Sequence, residues 1–192
     1  MIGTNDKVSN YVKQDVDPWG LKEVGVDTHR AAIIRSCIGK AGLVLDVGCA
    51  FGIYSNFLSG MGNYVISVDA SRRMAGEGAR KFPYLTFALG SGEDLPFKDE
   101  TFNAVLCMGT LIYSSRRDQF LSEIYRTLRN GGRLCVIERN RNSPIHAIIG
   151  NIKKNEKSID DPRTYFAKNE LEELLKNAGF KITRIAGDQI SL

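Results

Sequence analysis

Apolar positions along the chain follow two alternating rhythms. Short runs rich in β-branched, leucine and aromatic residues fall near 43–47, 64–69, 84–89, 102–107 and 133–138. Such runs read as strands buried on both faces. Between them, near 53–59, 71–81 and 117–129, the spacing is helical; Phe120, Leu121, Ile124 and Leu128 set one apolar face. An earlier helix is predicted over Thr28–Cys37, with Asp27 or Thr28 as its cap. Gly131-Gly132 supply the stop after the 117–129 helix. A last helix, Lys168–Ala178, closes at Gly179 before a strand over Phe180–Ile185. Strict alternation of strand and helix predicts an α/β fold whose parallel sheet is covered on both faces by right-handed crossovers.

One stretch departs from this rhythm. Ser143-Pro144 is a helix-start signal, and Ile145, Ile148, Ile149 and Ile152 then form a single apolar stripe. Residues 139–157 carry five Lys/Arg against Glu156. The segment reads either as a basic lid over a substrate or as a helix packed on the sheet with its charges solvated. The chain thus divides into an arm and helix (1–40), a core (41–138), a basic helical lid-like insertion (139–163) and a last helix and strand (164–192), all within a single domain.

Candidate chemistry concentrates where the first strand ends. Residues 43–52, Leu-Val-Leu-Asp-Val-Gly-Cys-Ala-Phe-Gly, join a strand, a glycine turn and a helix. Glycines there let the backbone approach a ligand and let the helix pack on the strand. A helix N-terminus favours phosphate, so Asp46 in that mouth selects against phosphate and for a ligand bearing positive charge. A second strand, Tyr64–Asp69, also ends in an acid, 21 residues after Gly48. An acid so placed holds a ribose by its hydroxyls. It also suits the cap of a helix beginning near Ser71, and the two roles are compatible.

Asp46-x-Gly48-x-Ala50-x-Gly52 resembles motif I of the class I S-adenosylmethionine-dependent methyltransferases, in particular the type 11 group. Gly90–Phe97 with Asp99–Met108, and Gln119–Asn130 with Gly131-Gly132 and Arg133–Glu138, resemble that group's later segments in the same order. The resemblance implies a Rossmann-like doubly wound, mostly parallel sheet of six to seven strands, ordered 3-2-1-4-5-7-6. Only seven residues follow Ile185, so the seventh strand is expected to be missing or rudimentary. It implies S-adenosylmethionine as cofactor, S-adenosylhomocysteine as product, and in-line methyl transfer to an oxygen or nitrogen of a small-molecule acceptor. By position, Asp46, Gly48, Ala50, Gly52, Asp69, Ala70, Ser91, Gly92, Glu93 and Met108 would bind the cofactor, Ser91–Glu93 along the adenine. Ser91 stands where an acid is frequent, and accepts a hydrogen bond without the gain of charge. Ala50 replaces a frequent glycine and is expected as a tolerated variant, harmless at negative φ and costly only if the turn needs positive φ.

An acceptor pocket should open at the carboxyl ends of the strands. Tyr113, just past the fourth strand, and Tyr11, Trp19, His29, Arg139 and His146, from the arm and the lid, are candidates to line it; packing alone would also account for the tyrosines, and a solvated helix face for His29. No general base stands out.

Composition narrows the alternatives. With 43% apolar and 25% charged residues the chain is globular. No apolar run is long enough to span a bilayer, and no signal-peptide core is present, so a cytoplasmic location is expected. Cys37, Cys49, Cys107 and Cys135 show no paired spacing, and two histidines provide no metal site. No RNA-module pattern of arginine and aromatic residues is visible, so no nucleic-acid partner is expected. A missing seventh strand would leave a sheet edge through which copies of the chain could pair. A nicotinamide-dependent oxidoreductase is opposed by Asp46 and by glycine spacing that fails Gly-x-Gly-x-x-Gly. A non-catalytic scaffold that keeps the cofactor fold is the remaining alternative.

Overall fold

The computed structural model describes residues 25–142 and 165–186. The arm with Tyr11 and Trp19, and the 143–163 segment with His146, lie outside the described residues. Helix α1 (Thr28–Cys37) is capped by the Asp27 side chain, which accepts from the N–H of Arg30. Then follow β1 (Leu43–Val47), α2 (Ile53–Gly60), β2 (Tyr64–Asp69), α3 (Arg72–Lys81), β3 (Thr86–Leu89) and β4 (Phe102–Met108). A 3-10 turn (Leu111–Tyr113), α4 (Arg117–Thr127), β5 (Leu128–Ile137) and α5 (Lys168–Asn177) complete the described elements.

The five strands order as β3-β2-β1-β4-β5, and every pairing is parallel. Alternate residues of β1 serve opposite faces. Leu45 and Val47 join Val105, Leu121 and Ile124 in one core, with residues of α5 packed against it. Val44 joins Ile34, Leu58 and Leu106 in the other, under α1 and α2. Burial on both faces explains why β1 and β4 read as unbroken apolar runs.

Two expectations are corrected. Phe180–Ile185 forms no strand, so the sheet has five strands among the described residues. After Gly179, at φ 91°, the chain turns so that Phe180 sets its ring edge-on to Tyr125 of α4, 5.2 Å between centroids, rather than joining β5. Gly131 and Gly132 do not end a helix either. Helix α4 stops at Thr127, and β5 starts at once by pairing Leu128 with Phe102. Arg133 next pairs with Ala104, so residues 129–132 loop out of the ladder. Gly131 is at φ 75°, and a Cβ on Gly132 would come within 2.8 Å of the Arg129 carbonyl. The glycines serve the bulge.

Candidate cofactor site

The loop after β1 is tied down on three sides. The N–H groups of Gly48 and Cys49 both donate to the Val68 carbonyl of β2, at 2.8 and 3.0 Å. Gly48, at φ 74°, lies directly under Thr110, and a Cβ there would be 2.0 Å from the Thr110 hydroxyl oxygen. That hydroxyl donates to the carbonyls of Val47 and Met108, closing β1 onto the end of β4. Gly52, also at φ 74°, precedes the first turn of α2, with the Phe87 ring against its α-carbon.

Asp69 organises the third side. One carboxylate oxygen accepts from the N–H of Ala50 and the other from that of Ser71, both at 2.8 Å. Ser71, not Asp69, caps α3, its hydroxyl accepting from the N–H of Met74. The Asp69 carboxylate is therefore the joint between the first loop and the second. Ala50 meets the costly condition: it sits at 48°, in the left-handed region, where a Cβ costs about 1–2 kcal/mol. The bond from its N–H to Asp69 holds it there.

Asp46 is buried rather than set in an open mouth, with 3% of its surface exposed. It accepts a 2.6 Å hydrogen bond from Ser55 of α2. Burial raises its pKa to about 7; the Ser55 bond opposes that rise and the neighbouring Asp69 adds to it. Between Lys40 and Arg72 the chain has no lysine or arginine, and Asp46 and Asp69 are its only charged groups. The first crossover segment thus carries two acids and no base, which suits a cation and repels a phosphate. Gly109 faces open space, since a Cβ there would meet nothing within 4 Å. Ala70 and Met108 are half-buried at the ends of β2 and β4.

The 91–93 segment is built differently. Ser91 is exposed, and its hydroxyl accepts from the N–H of Glu93 at 3.2 Å. Gly92 is buried beneath the Phe120 ring of α4, which a Cβ would approach to 2.1 Å. Glu93 accepts from the Ser114 hydroxyl at 2.5 Å and from Arg116 at 2.9 Å. Burial works to raise its pKa, but the bonds from Ser114 and Arg116 prevail and hold it below the ordinary value.

Several participants escaped the sequence reading. Glu138, directly after β5, accepts from the N–H groups of Thr110 (3.0 Å) and Leu111 (2.7 Å) through one oxygen. Its other oxygen is buried without a hydrogen-bond partner, and burial raises the carboxyl to about 7. A signal existed, because Asp46, Asp69 and Glu138 each close or follow an apolar strand run. Arg139 does not stand alone: it donates to the Tyr165 hydroxyl at 2.8 Å and stacks on that ring. Phe166 bridges Asn140, so the chain returns alongside the end of β5. Tyr113 packs half-buried against the core. His29 does not present a solvated ring, since its Nε2 is buried and lacks a partner. Among the described residues no cluster could hold a metal ion, and no helix is long and apolar enough to cross a membrane.

Known proteins match this frame. The family described as "Methyltransferase domain" matches residues 45–136. A demethylmenaquinone methyltransferase of Beutenbergia cavernae is 41% identical over 95 residues, covering 50% of this chain and 40% of that protein. The chain therefore spans about two fifths of the length of such relatives. An uncharacterised protein of Methanocaldococcus jannaschii is 30% identical over 168 residues, covering 88% of this chain and 78% of that one. A solved structure from Thermotoga maritima, described as an S-adenosylmethionine-dependent methyltransferase and possible histamine N-methyltransferase, superposes with a TM-score of 0.65. It is 26% identical and covers 79% of this chain and 70% of its own.

Proposed function

The chain belongs to the type 11 group of class I S-adenosylmethionine-dependent methyltransferases, and on that basis we propose that it methylates an oxygen or nitrogen of a small-molecule acceptor by in-line displacement. When bound, S-adenosylmethionine supplies a methyl group on a sulfonium, already activated for displacement. The protein's own task is then to hold the acceptor in line and exclude water.

The observation that carries this reading is that the first crossover, between Lys40 and Arg72, holds two acids and no base. In the proposed arrangement the Gly48–Gly52 loop receives the amino-acid tail of the cofactor, with Asp46, ionised as pH rises past about 7, supplying negative potential from beneath. Asp69 meets the ribose hydroxyls while it holds the N–H groups of Ala50 and Ser71. Ala70 and Met108 border the crevice, and Ser91 offers the adenine its hydroxyl. Gly92 and Glu93 act on this edge mainly through α4, to which both are bound. On the acceptor side we assign Tyr113 and Arg139, with Glu138 as the group able to take a proton from a hydroxyl or ammonium acceptor. Tyr11 and His146 keep their places as candidates there. Hydroxylated ring compounds and small amines are the acceptor classes to try first, since the similar proteins include a demethylmenaquinone methyltransferase and a possible histamine N-methyltransferase. A cytoplasmic setting, no nucleic-acid partner and self-association through a sheet edge complete the proposal.

Titration calorimetry with S-adenosylmethionine and with NADH tests the cofactor side. Binding of the first alone is expected, and Asp69→Ala should weaken it by about 1–3 kcal/mol, the scale of lost hydrogen bonds to a charged group. Unchanged affinity in that variant would refute the ribose role. Release of S-adenosylhomocysteine on incubation with an acceptor panel tests methyl transfer and separates an enzyme from a scaffold.

A further inference from the structure

Three buried side-chain atoms among the described residues lack a hydrogen-bond partner: His29 Nε2, Ser67 Oγ and Glu138 Oε2. Buried polar groups are otherwise paired almost without exception, because an unmet one gives up its hydration and gains nothing. Ser67 lies within β2, in register with Asp46 of β1. His29 and Glu138 instead converge on one place, the carboxyl end of β5.

Helix α1 runs antiparallel to β5. At its C-terminal end the Cys37 thiol donates to the Leu134 carbonyl at 3.7 Å. At its N-terminal end the N–H of the cap, Asp27, donates to the Tyr54 hydroxyl at 3.2 Å, in the first turn of α2 directly after the Gly48–Gly52 loop. Eight residues of helix separate Cys37 from His29, a climb of about 12 Å at about 1.5 Å per residue. Four residues of strand separate Leu134 from Glu138, a climb of about 13 Å at about 3.3 Å per residue. His29 and Glu138 therefore stand at the same level. Ile33 and Cys37 follow His29 on one side of α1, and both pack on the core that Met108 and Ile137 also meet, so His29 turns inward over the strand ends. Along β5, Leu134 and Val136 serve the opposite core and Cys135 and Ile137 this one. Glu138 continues the first set, accepting from Leu111, which is buried in that opposite core. The two unmet atoms thus approach the end of β5 from opposite faces of the sheet. There is room between them: Gly109 donates to the Ile137 carbonyl, and a Cβ on it would meet nothing within 4 Å.

We propose that His29 is an acceptor-binding residue opposite Glu138, and that the acceptor is a compact molecule with two polar groups, one presented to each. The assignment rests on the chain being a methyltransferase with a small-molecule acceptor. The reacting hydroxyl or amine donates to Glu138. The second polar group pairs with His29 Nε2, which donates or accepts according to tautomer. A site built to pair a polar group rejects the analogue that lacks it, because the buried nitrogen is then left unmet. His29 thereby selects between acceptors that would react equally well at Glu138.

The test uses the full chain with S-adenosylhomocysteine bound. The chain has two histidines, so isotope-labelled imidazole nitrogens give few magnetic-resonance signals, assigned by their loss in His29→Leu or in His146→Leu. Hydroquinone and tyramine, each with two polar groups, should shift the His29 Nε2 signal. Phenol, with one, should bind at least about ten-fold more weakly than hydroquinone. In His29→Leu that preference should shrink to within about two-fold, while affinity for S-adenosylmethionine also stays within about two-fold of the parent. A His29 signal unmoved by hydroquinone and tyramine, in a chain that still binds S-adenosylmethionine, overturns the acceptor role alone. Cofactor affinity that falls as far as acceptor affinity in His29→Leu would make His29 a packing residue and overturn it too. An unaltered chain that binds no S-adenosylmethionine would overturn the methyltransferase reading and this role with it. The spectra of the unaltered chain decide the matter even if His29→Leu fails to fold.

Discussion

Two loops at the carboxyl edge of the sheet match family motifs about equally well, yet the fold employs them differently. In the loop after β1, joined through Asp69 to the end of β2, polar motif groups bond to one another. Asp69 takes the N–H of Ala50, Asp46 takes the hydroxyl of Ser55, and open space lies nearby at Gly109. In the loop after β3, motif groups are taken up by α4 and its approach. Phe120 covers Gly92, Arg116 and Ser114 bind Glu93, and Leu95 donates to Glu123. Arg126 gathers the rest, donating to the carbonyls of Phe97 and Leu95 and to Asp99. A shared motif therefore mixes crevice and scaffold, and the partners of each side chain tell them apart.

The comparison can be broken most forcefully at Gly48. Gly48→Ala combines left-handed strain with a clash against Thr110, and should destabilise by about 2–5 kcal/mol. Thermal unfolding would read this; a normal melting temperature with normal cofactor affinity would show that Thr110 moves aside at little cost.

On the scaffold side, Arg126→Ala strips the clamp from Leu95, Phe97 and Asp99. The Arg126 side chain is 31% exposed, so solvent screens its ion pairs. The loss should be about 1–3 kcal/mol, from carbonyls left short of partners. Denaturant unfolding should report it while calorimetry finds cofactor affinity within about two-fold of the parent.

A pH series sharpens the crevice side. Asp46 and Glu138 titrate near 7 when folded, but near 4 when unfolded. Between those values the folded chain holds protons that the unfolded chain has lost. Stability should therefore fall as pH rises from about 4 to 7, by on the order of a few kcal/mol, and stay low above that. Glu93 and Glu123, held below their ordinary values, act in the opposite sense, losing their contribution only in more acidic solution. Asp46→Asn or Glu138→Gln should flatten the slope in a thermal scan of the unliganded protein; an unchanged slope would assign it elsewhere.

The smallest effect belongs to Ala50→Gly, which relieves φ 48°. It should stabilise by about 0.5–1 kcal/mol, strain relief less the added freedom of glycine when unfolded. A loss of stability would mean that the Ala50 methyl group packs productively.

Much of the fold was legible without coordinates. Runs such as Leu43–Val47 and the spacing of Phe120, Leu121 and Ile124 are local patterns, and local periodicity reports local structure. The order β3-β2-β1-β4-β5 agrees with the family pattern carried by the same motifs. Phe180–Ile185 misled because its alternation is equally local, while joining a sheet requires a neighbour's edge. Gly131-Gly132 misled in a similar way, because a glycine pair suits a helix end and a bulge alike.

What the chain by itself determined is therefore the sequence of elements, the acids at the strand ends and the class of cofactor. Only the tertiary structure decided that Asp46 is buried, that Ala50 is left-handed, and that Gly92 and Glu93 face α4. It alone joined Thr110 to Glu138, 28 residues apart, and Cys37 to Leu134, 97 apart. Such contacts follow from how layers stack, and burial, charge and reactivity are properties of the stacked neighbours rather than of the order of residues along the chain.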